Sequence, residues 1–354
     1  MKKVVYILLA LILVSGVMLA CGDETTQAPA PEPTTAPAPA PEEPIVWKYT
    51  ASSPDRGLRN VMVKWYFGEI EARTNGRFTV EYFWNGTLAQ MGEEPDVIKA
   101  NIAQTALFDP GRTPEKMPML AIEALPLLGP ETRRGMAQAH VEFIKYPAVA
   151  EEFANLNAVE LFPNSFGQIH YTGNSRIDTV ADLKGLRIEA VSPVWASIHG
   201  ELGAVDVALG TGAEIYDGLQ KGIIDLDLSS AGSFMAYSLF EVSDYLITAY
   251  LTDMTASLVA NKDAYNALPA DIKAIFEELS AEALTYVPDE FDANEEKTKA
   301  AYKDAGREVI PLPDAVRAAL TDAAKTVAWD KYLDEWTGRG YPAQDVLDHY
   351  NSVK

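Results

Sequence analysis

The chain reads as an α/β protein of two lobes, each a mostly parallel sheet flanked by helices, with a long C-terminal helix bracing both. Three observations predict this. Residues 46–108 alternate strand and helix signals, residues 158–228 repeat that rhythm, and Ala270–Ala305 is a long helical run. A β-α-β-α-β order favours parallel strands with helices on the sheet faces.

In the first round, Val46–Ala51 (VWKYTA) is a strand that ends in the loop and helix-start signal Ser52-Ser53-Pro54-Asp55. Leu58–Ala72 carries Val61, Val63, Trp65, Phe67 and Ile70 at helical spacing, and Thr74-Asn75-Gly76 stops it, because Asn and Gly tolerate a left-handed helix end. Arg77–Trp84 is a second strand, Asn85-Gly86 a turn, Pro95–Asn101 a short helix and Ile102–Phe108 a third strand. Ligands of such sheets sit beyond the carboxyl ends of the strands, here Ser52-Ser53, Trp84-Asn85 and Phe108-Asp109. Met117–Leu128 is apolar but broken by prolines, and Glu131–Phe153 is expected to be helical.

The second round predicts strands at Ala158–Phe162, Gln168–Thr172, Leu186–Ala190, Val205–Leu209 and Ile223–Leu228. Helices are expected at Val194–Leu202 and Ala213–Gln220, with further strands at Tyr245–Tyr250 and Ser257–Ala260. The expected organisation is residues 45–165 mainly in lobe I, 166–260 mainly in lobe II, and 261–354 as a helical region bracing both.

The N-terminus has the parts of an export signal over residues 1–20: Lys2 and Lys3, then the apolar run Val4–Leu13, ending before Cys21, the single cysteine. The run is short for a spanning helix, so a cleaved signal is expected. Met18-Leu19-Ala20-Cys21 resembles a bacterial lipobox, with Met18 where Leu is usual. That implies lipidation at Cys21, which would hold the chain at a membrane surface. Residues 21–44 are rich in Pro, Ala, Thr and Glu. They are expected to form an extended tether, with a reach on the order of 70 Å at about 3.1 Å per residue.

Net charge is -22. Such acidity argues against nucleic acid and against peripheral binding to anionic lipid, so attachment must come from the lipid anchor. Four scattered histidines and one cysteine make no zinc spacing, and no cofactor or metal is expected. His140, His199 and His349 are expected to be solvated helix residues. No Gly-x-Ser-x-Gly elbow, His-Glu-x-x-His or phosphate loop points to an enzyme.

Four segments resemble the extracytoplasmic solute receptors of TRAP transporters, the DctP type, across about residues 46–330. They are Asn75–Glu81 (NGRFTVE), Ala121–Leu127 (AIEALPL), Ala181–Ile188 (ADLKGLRI) and Glu214–Asp225 (EIYDGLQKGIID). The resemblance implies a periplasmic-binding-protein-like fold, a hinge crossed more than once, and closure around a small organic solute that carries a carboxylate. It also implies a small and a large integral membrane subunit as partners. A solute-sensing or scaffold lipoprotein of the same fold is the alternative, and a surface hydrolase is the weaker rival.

Two departures from the family bear on the site. Where most members hold a carboxylate with Arg, this chain has Glu189, and Arg187 lies on the same strand face. Either Arg187 takes over as anion clamp, or Glu189 occupies the recognition point and the solute is neutral or cationic, or the two neutralise each other. A second family arginine would fall near Gln168-Ile169-His170, where there is none. The position that often stacks a Phe on ligand aligns with Gly212, which suggests a roomier pocket, and the following polar position is Ser229. Asp227 is a ligand contact or a cap, Glu214 a helix cap. Trp84, Asn85 and Phe108 are cleft candidates at strand ends. Gln168 and His170 are further ligand-binding candidates, expected to share one strand face with Thr172, with Tyr171 on the other.

Overall fold

The structure, a computed structural model, describes residues 43–354. The expected export signal, Cys21 and the expected tether up to Glu42 lie outside the described residues.

Lobe I begins with strand β1 (Ile45–Thr50), helix α1 (Leu58–Arg73), β2 (Phe78–Phe83), α2 (Glu94–Lys99) and β3 (Thr105–Phe108). The predicted stop of α1 is as drawn: Asn75 and Gly76 take φ of 53° and 76°. Strands β2, β1 and β3 run parallel. Two helices follow, α3 (Arg133–Phe143) and α4 (Pro147–Asn155), where one was expected. The break is at Tyr146, whose extended ψ of 133° suits the residue before Pro147.

Two long strands cross the molecule. β4 spans Ala158–Gly173 and β8 spans Tyr245–Asn261, each replacing two shorter predicted strands. They pair antiparallel through four register shifts, at Glu160/Phe162, Pro163/Ser165, Gly167/Gln168 and Ile169/Tyr171. Between them in sequence lies lobe II: β5 (Arg187–Ala190), α5 (Pro193–Glu201), β6 (Val205–Asp206), α6 (Gly212–Gln220), β7 (Leu226–Ser230) and α7 (Ala231–Ala236). After β8 come α8 (Lys262–Asn266), α9 (Ala270–Asp304), β9 (Glu308–Pro311), α10 (Asp314–Ala324), α11 (Asp330–Gly338) and α12 (Ala343–Val353), with a π-helical turn, Lys325–Trp329, joining α10 to α11.

The strands form one hydrogen-bonded path, β2-β1-β3-β8-β4-β7-β5-β6, with β9 added on β8. Outer neighbours pair parallel; the antiparallel contacts are those of β4 and β8 with each other and with β3 and β7. Each lobe has a core on both faces of its sheet. In lobe I, Trp47, Tyr66, Phe67, Phe78 and Phe276 fill one face, and Phe108, Met119, Phe143 and Trp336 the other. In lobe II, Tyr171, Ile188, Trp195 and Leu320 fill one face, and Leu219, Phe234 and Tyr302 the other. Each such buried side chain contributes roughly 1.5–3 kcal/mol.

The 35-residue α9 is on the order of 50 Å long at about 1.5 Å per residue. Its Phe276 lies in a lobe I core and its Tyr302 in a lobe II core, so this one helix ties the lobes together. The chain crosses again at the π-helical turn: Leu320 of α10 belongs to lobe II, Leu333 of α11 to lobe I.

Candidate functional site

Strand register shows where the site must be. β3 lies antiparallel to β8 with Thr105 opposite Ala260 and Phe108 opposite Ser257, so its carboxyl end points at the middle of β8. β7 lies antiparallel to β4 with Leu226 opposite Gly173 and Ser230 no longer far from the centre, since its partner Ile169 is nearer the middle of β4. β1 follows β3 in direction and β5 follows β7. The carboxyl ends of both lobes therefore face each other across the central stretch of β4. Ser257 pairs with Pro163, which marks where lobe I ends on that strand. From Pro163 to Ile169, six residues at about 3.3 Å each, the gap is roughly 20 Å.

The lobe I wall of this gap holds a cavity of about 320 Å³ lined in part by Ser52, Ser53, Arg59, Glu94, Asp109 and Arg112. Local chemistry fixes its loops. The Asn60 amide donates to Ser53 Oγ at 2.9 Å and to the Pro54 carbonyl at 2.7 Å. Asn85, left-handed at φ 57°, donates its N–H to the Ser53 carbonyl at 3.0 Å. Asn164, in the middle of β4, donates to the Arg59 carbonyl at 3.0 Å, which places the start of α1 beside the gap. Asp109 Oδ2 meets Arg112 Nε at 3.1 Å and Arg59 Nη1 at 3.7 Å, while Oδ1 is buried with no described partner. Burial raises the Asp109 carboxyl above its ordinary range, against the pull of Arg59 and Arg112.

The lobe II wall is acidic. Glu189 of β5 and Asp227 of β7 sit opposite each other in register. Asp227 is 1% exposed and Glu189 half-buried. Their side chains lie next to each other on the sheet, and neither Asp227 oxygen has a hydrogen-bond partner among the described groups. Burial pushes Asp227 well above the ordinary carboxylate range, and the Glu189 contact adds to this. Burial also raises Glu189, which the Leu209 N–H opposes. Two carboxyls in contact hold one proton between them and titrate as a pair.

Arg187, at the opening residue of β5, does not join this pair. Its Nη2 and Nε bind Asp225 Oδ1 and Oδ2 at 2.6 and 3.0 Å, and Nη1 donates to the Gly222 carbonyl at 2.6 Å. The expected alternative of mutual neutralisation with Glu189 is thus corrected: the partner is Asp225. Being at the amino end of a strand whose carboxyl end meets the gap, Arg187 lies on the side away from it.

The central stretch of β4 carries a charged network. His170 Nδ1 accepts the Ala249 and Tyr250 N–H groups at 3.0 and 3.3 Å, and Nε2 lies 3.4 Å from Glu295 Oε2 without a hydrogen bond of its own. Glu295 of α9 also binds Arg133 of α3 at 2.7 Å and Lys299 at 2.9 Å. These partners hold Glu295 far below its usual range despite burial, while burial lowers His170. Gln168 donates to the Glu131 carbonyl, and Thr172 bonds the Tyr302 hydroxyl at 2.6 Å. Gln168, His170 and Thr172 share one face as expected, and Tyr171 points the other way, onto His199 Nε2 at 2.8 Å.

Other sequence candidates are placed differently. Phe108 is wholly buried in a lobe I core, so it packs rather than lines the cavity, and the wall belongs to its neighbour Asp109. Trp84 stacks on Tyr82 at 5.5 Å and packs edge-on to Tyr49. Gly212 makes no roomier pocket, because the Tyr237 ring fills its side, 2.2 Å from where a Cβ would be. Ser229 is half-buried opposite His170. Glu214 caps α6 with Thr211, accepting its hydroxyl at 3.1 Å. The solvated histidines are corrected too. His140 is buried between Glu123, at 2.8 Å, and Glu160, at 2.5 Å, and His199 is buried under Tyr171; His349 stacks on Tyr146. Sequence reasoning missed Arg59, whose one signal was its place just after the first strand-end loop, and Tyr237, which lies on an irregular stretch without periodicity.

Two lobes with facing strand ends, a cavity on one wall and crossing strands and helices between them define a solute-binding fold. Residues 62–335 match the bacterial extracellular solute-binding proteins, family 7, the DctP family, and the chain belongs to that family of extracytoplasmic TRAP solute receptors. It is 25% identical over 290 residues to the ectoine/5-hydroxyectoine-binding periplasmic protein UehA of Ruegeria pomeroyi, covering 79% of this chain and 83% of that protein. It is 25% identical over 273 residues to the C4-dicarboxylate-binding periplasmic protein DctP of Rhodobacter capsulatus, covering 75% and 79%. Among solved structures, a TRAP periplasmic solute-binding protein from Desulfovibrio salexigens superposes with a TM-score of 0.78 at 21% identity, covering 87% of this chain and 95% of that one. DctP6 of Bordetella pertussis, binding pyroglutamic acid, superposes at 0.68 with 20% identity, covering 87% and 99%.

Proposed function

We propose that the chain is the lipid-anchored receptor of a TRAP transporter and that it closes on a small carboxylate-bearing solute held by Arg59, not by Arg187. The observation that carries this is the setting of Arg59. It lines the cavity at the gap, and its described side-chain partner is Asp109 at 3.7 Å, so most of its five N–H donors are open. A guanidinium fork suits a carboxylate bidentately. Ectoine and pyroglutamic acid, for which UehA and DctP6 are named, both carry a carboxylate. Solute touching both walls shifts an open–closed equilibrium toward closed, and the register shifts along β4 and β8 supply the pliable segment. The closed receptor then meets the two integral subunits of the transporter.

The test is a thermal-shift and calorimetric screen of small carboxylates, pyroglutamate and ectoine included, on residues 43–354 and on the Arg59→Ala variant. Binding by the wild type that falls at least tenfold in Arg59→Ala is expected; undiminished affinity in the variant rejects Arg59. Small-angle scattering should show compaction at saturation. Anchoring rests on Cys21 in its lipobox-like setting. The full chain should fractionate with membranes and Cys21→Ser should not; equal release of both rejects the anchor.

A further inference from the structure

The Glu189–Asp227 pair lacks a counter-ion. Among the described residues neither carboxyl meets a lysine, arginine or histidine within salt-bridge distance, and Asp227 is buried with both oxygens unmet by any N–H. Unpaired buried carboxylates are costly. The groups packed around the pair do not solve this. From β6, Asp206 adds like charge on Glu189, and from α9, Tyr302 faces Asp227. On β5 itself, Arg187 is bound to Asp225, and Thr172 of β4 is bound to Tyr302. A carboxyl pair kept protonated in a packed core would be inert, but Glu189 is half-exposed one residue from the carboxyl end of β5. That end faces the gap opposite Arg59. The starts of α6 and α7, which also face this end, are capped by Thr211 and Ser230.

We infer that the solute carries a cationic nitrogen, an ammonium or amidinium, which docks on Glu189 in front of Asp227, so that with its carboxylate on Arg59 the solute is a zwitterion. The inference rests on the receptor reading above. The usual polarity of the family site is reversed: the anion partner is on lobe I and the cation partner on lobe II. Docking replaces the shared proton. The O–H bond of the protonated carboxyl breaks, the proton leaves to water, and the solute cation donates its N–H to the accessible Glu189 carboxylate, its charge offsetting that of Asp227 behind it. Closure is thereby tied to a solute with both charges, because a lone anion leaves the pair without its partner.

The experiment compares ring-matched compounds by calorimetry at pH 7 on residues 43–354. L-proline, L-pipecolate and ectoine are the zwitterions, cyclopentanecarboxylate and cyclohexanecarboxylate the anions, and piperidine the cation. At least one zwitterion should bind at least tenfold tighter than the matched or any other anion of the set, and Glu189→Gln should erase that difference. Asp227→Asn keeps the shape of the site and should remove proton release, read as a buffer-dependent heat in phosphate against Tris. Anions that bind as tightly as zwitterions, with affinity lost in Arg59→Ala, keep the receptor reading and overturn this one. Discrimination that survives Glu189→Gln also overturns it. Binding by none of the compounds overturns both.

Discussion

Arg187 and Asp225 form a two-pronged ion pair at the amino end of β5, with Nη2–Oδ1 at 2.6 Å and Nε–Oδ2 at 3.0 Å. The Arg187 N–H also reaches Asp225 Oδ2 at 2.8 Å, so this one carboxylate ties side chain and backbone of the strand opening. The Arg187 N–H and carbonyl are thus both bonded to Asp225, so the backbone and not the guanidinium sets the position of Glu189 two residues on.

This arrangement makes Arg187→Ala a weak variant for binding. Solute affinity should change by less than about threefold, and Tm should fall by no more than a few degrees, because partly exposed ion pairs contribute little. Calorimetry and a melting curve on the same sample check both. A complete loss of binding with an unchanged melt would instead mark Arg187 as a ligand contact.

Much of the fold was legible because each early element obeys one periodicity. β1, α1 and β2 are placed within a residue or so of their expected ends, and α9 is found at almost its full length, although Pro288 sits inside it. The long strands were not legible as single elements. Each register shift resets the in–out alternation, so β4 reads as Ala158–Phe162 and Gln168–Thr172 with a gap between. Tyr250, left-handed at φ 48°, breaks the pattern of β8 in the same way. The candidate site was half legible. Glu189 stood out where the family resemblance places an arginine, and Asp227 as a contact or a cap, but the partner of Arg187 lies 38 positions away, and only the fold reveals that it is Asp225. His140 was misread because one buried polar residue on an apolar helix face looks like a solvated one until its two carboxylates are seen.

His140 predicts a stability that declines as pH rises. Glu123 and Glu160 raise its pKa well above 6.5, against burial, and burial raises Glu123. Ser257 and Tyr350 are the other polar groups beside this triad. The folded triad thus binds protons more tightly than the unfolded chain does. Its contribution is complete below pH 6.5 and is lost as pH climbs through the raised folded pKa. His140→Leu leaves two buried carboxylates unpaired and should cost about 3–5 kcal/mol. Urea denaturation at pH 6 and pH 9 should show a smaller pH effect in the variant than in the wild type; equal slopes would remove the triad from the account.

Glu295 predicts the opposite sign. Its pKa is held below 4.5 by His170, Arg133 and Lys299, so its contribution is present above pH 4.5 and lost as pH falls below it. His170, lowered from 6.5 by burial, adds to the acid loss, since the unfolded chain takes up its proton first. Glu295→Gln should destabilise by about 3 kcal/mol, the low end for a broken buried pair, because Arg133 keeps Asp292 at 2.5 Å. In urea, the loss of stability between pH 4.5 and pH 3, where Glu295 takes up its proton in the unfolded chain, should be smaller in this variant than in the wild type.

Tyr237 and Gly212 predict a separable effect on affinity. The ring lies against Gly212 and is 43% exposed, at the start of α6, where the carboxyl ends of the lobe II strands meet the gap. Aromatic stacking on a solute ring contributes about 0.5–1.5 kcal/mol. Tyr237→Ala should therefore weaken a ring-bearing solute by roughly two- to tenfold, with little change for an open-chain one. Gly212→Ala tests the same contact from the other side, since a Cβ at 2.2 Å forces the ring to swing away. Matching losses for ring solutes in both variants, with melting temperatures near wild type, would show the ring acting on the solute. A loss confined to Gly212→Ala would place the effect in the packing of α6 instead.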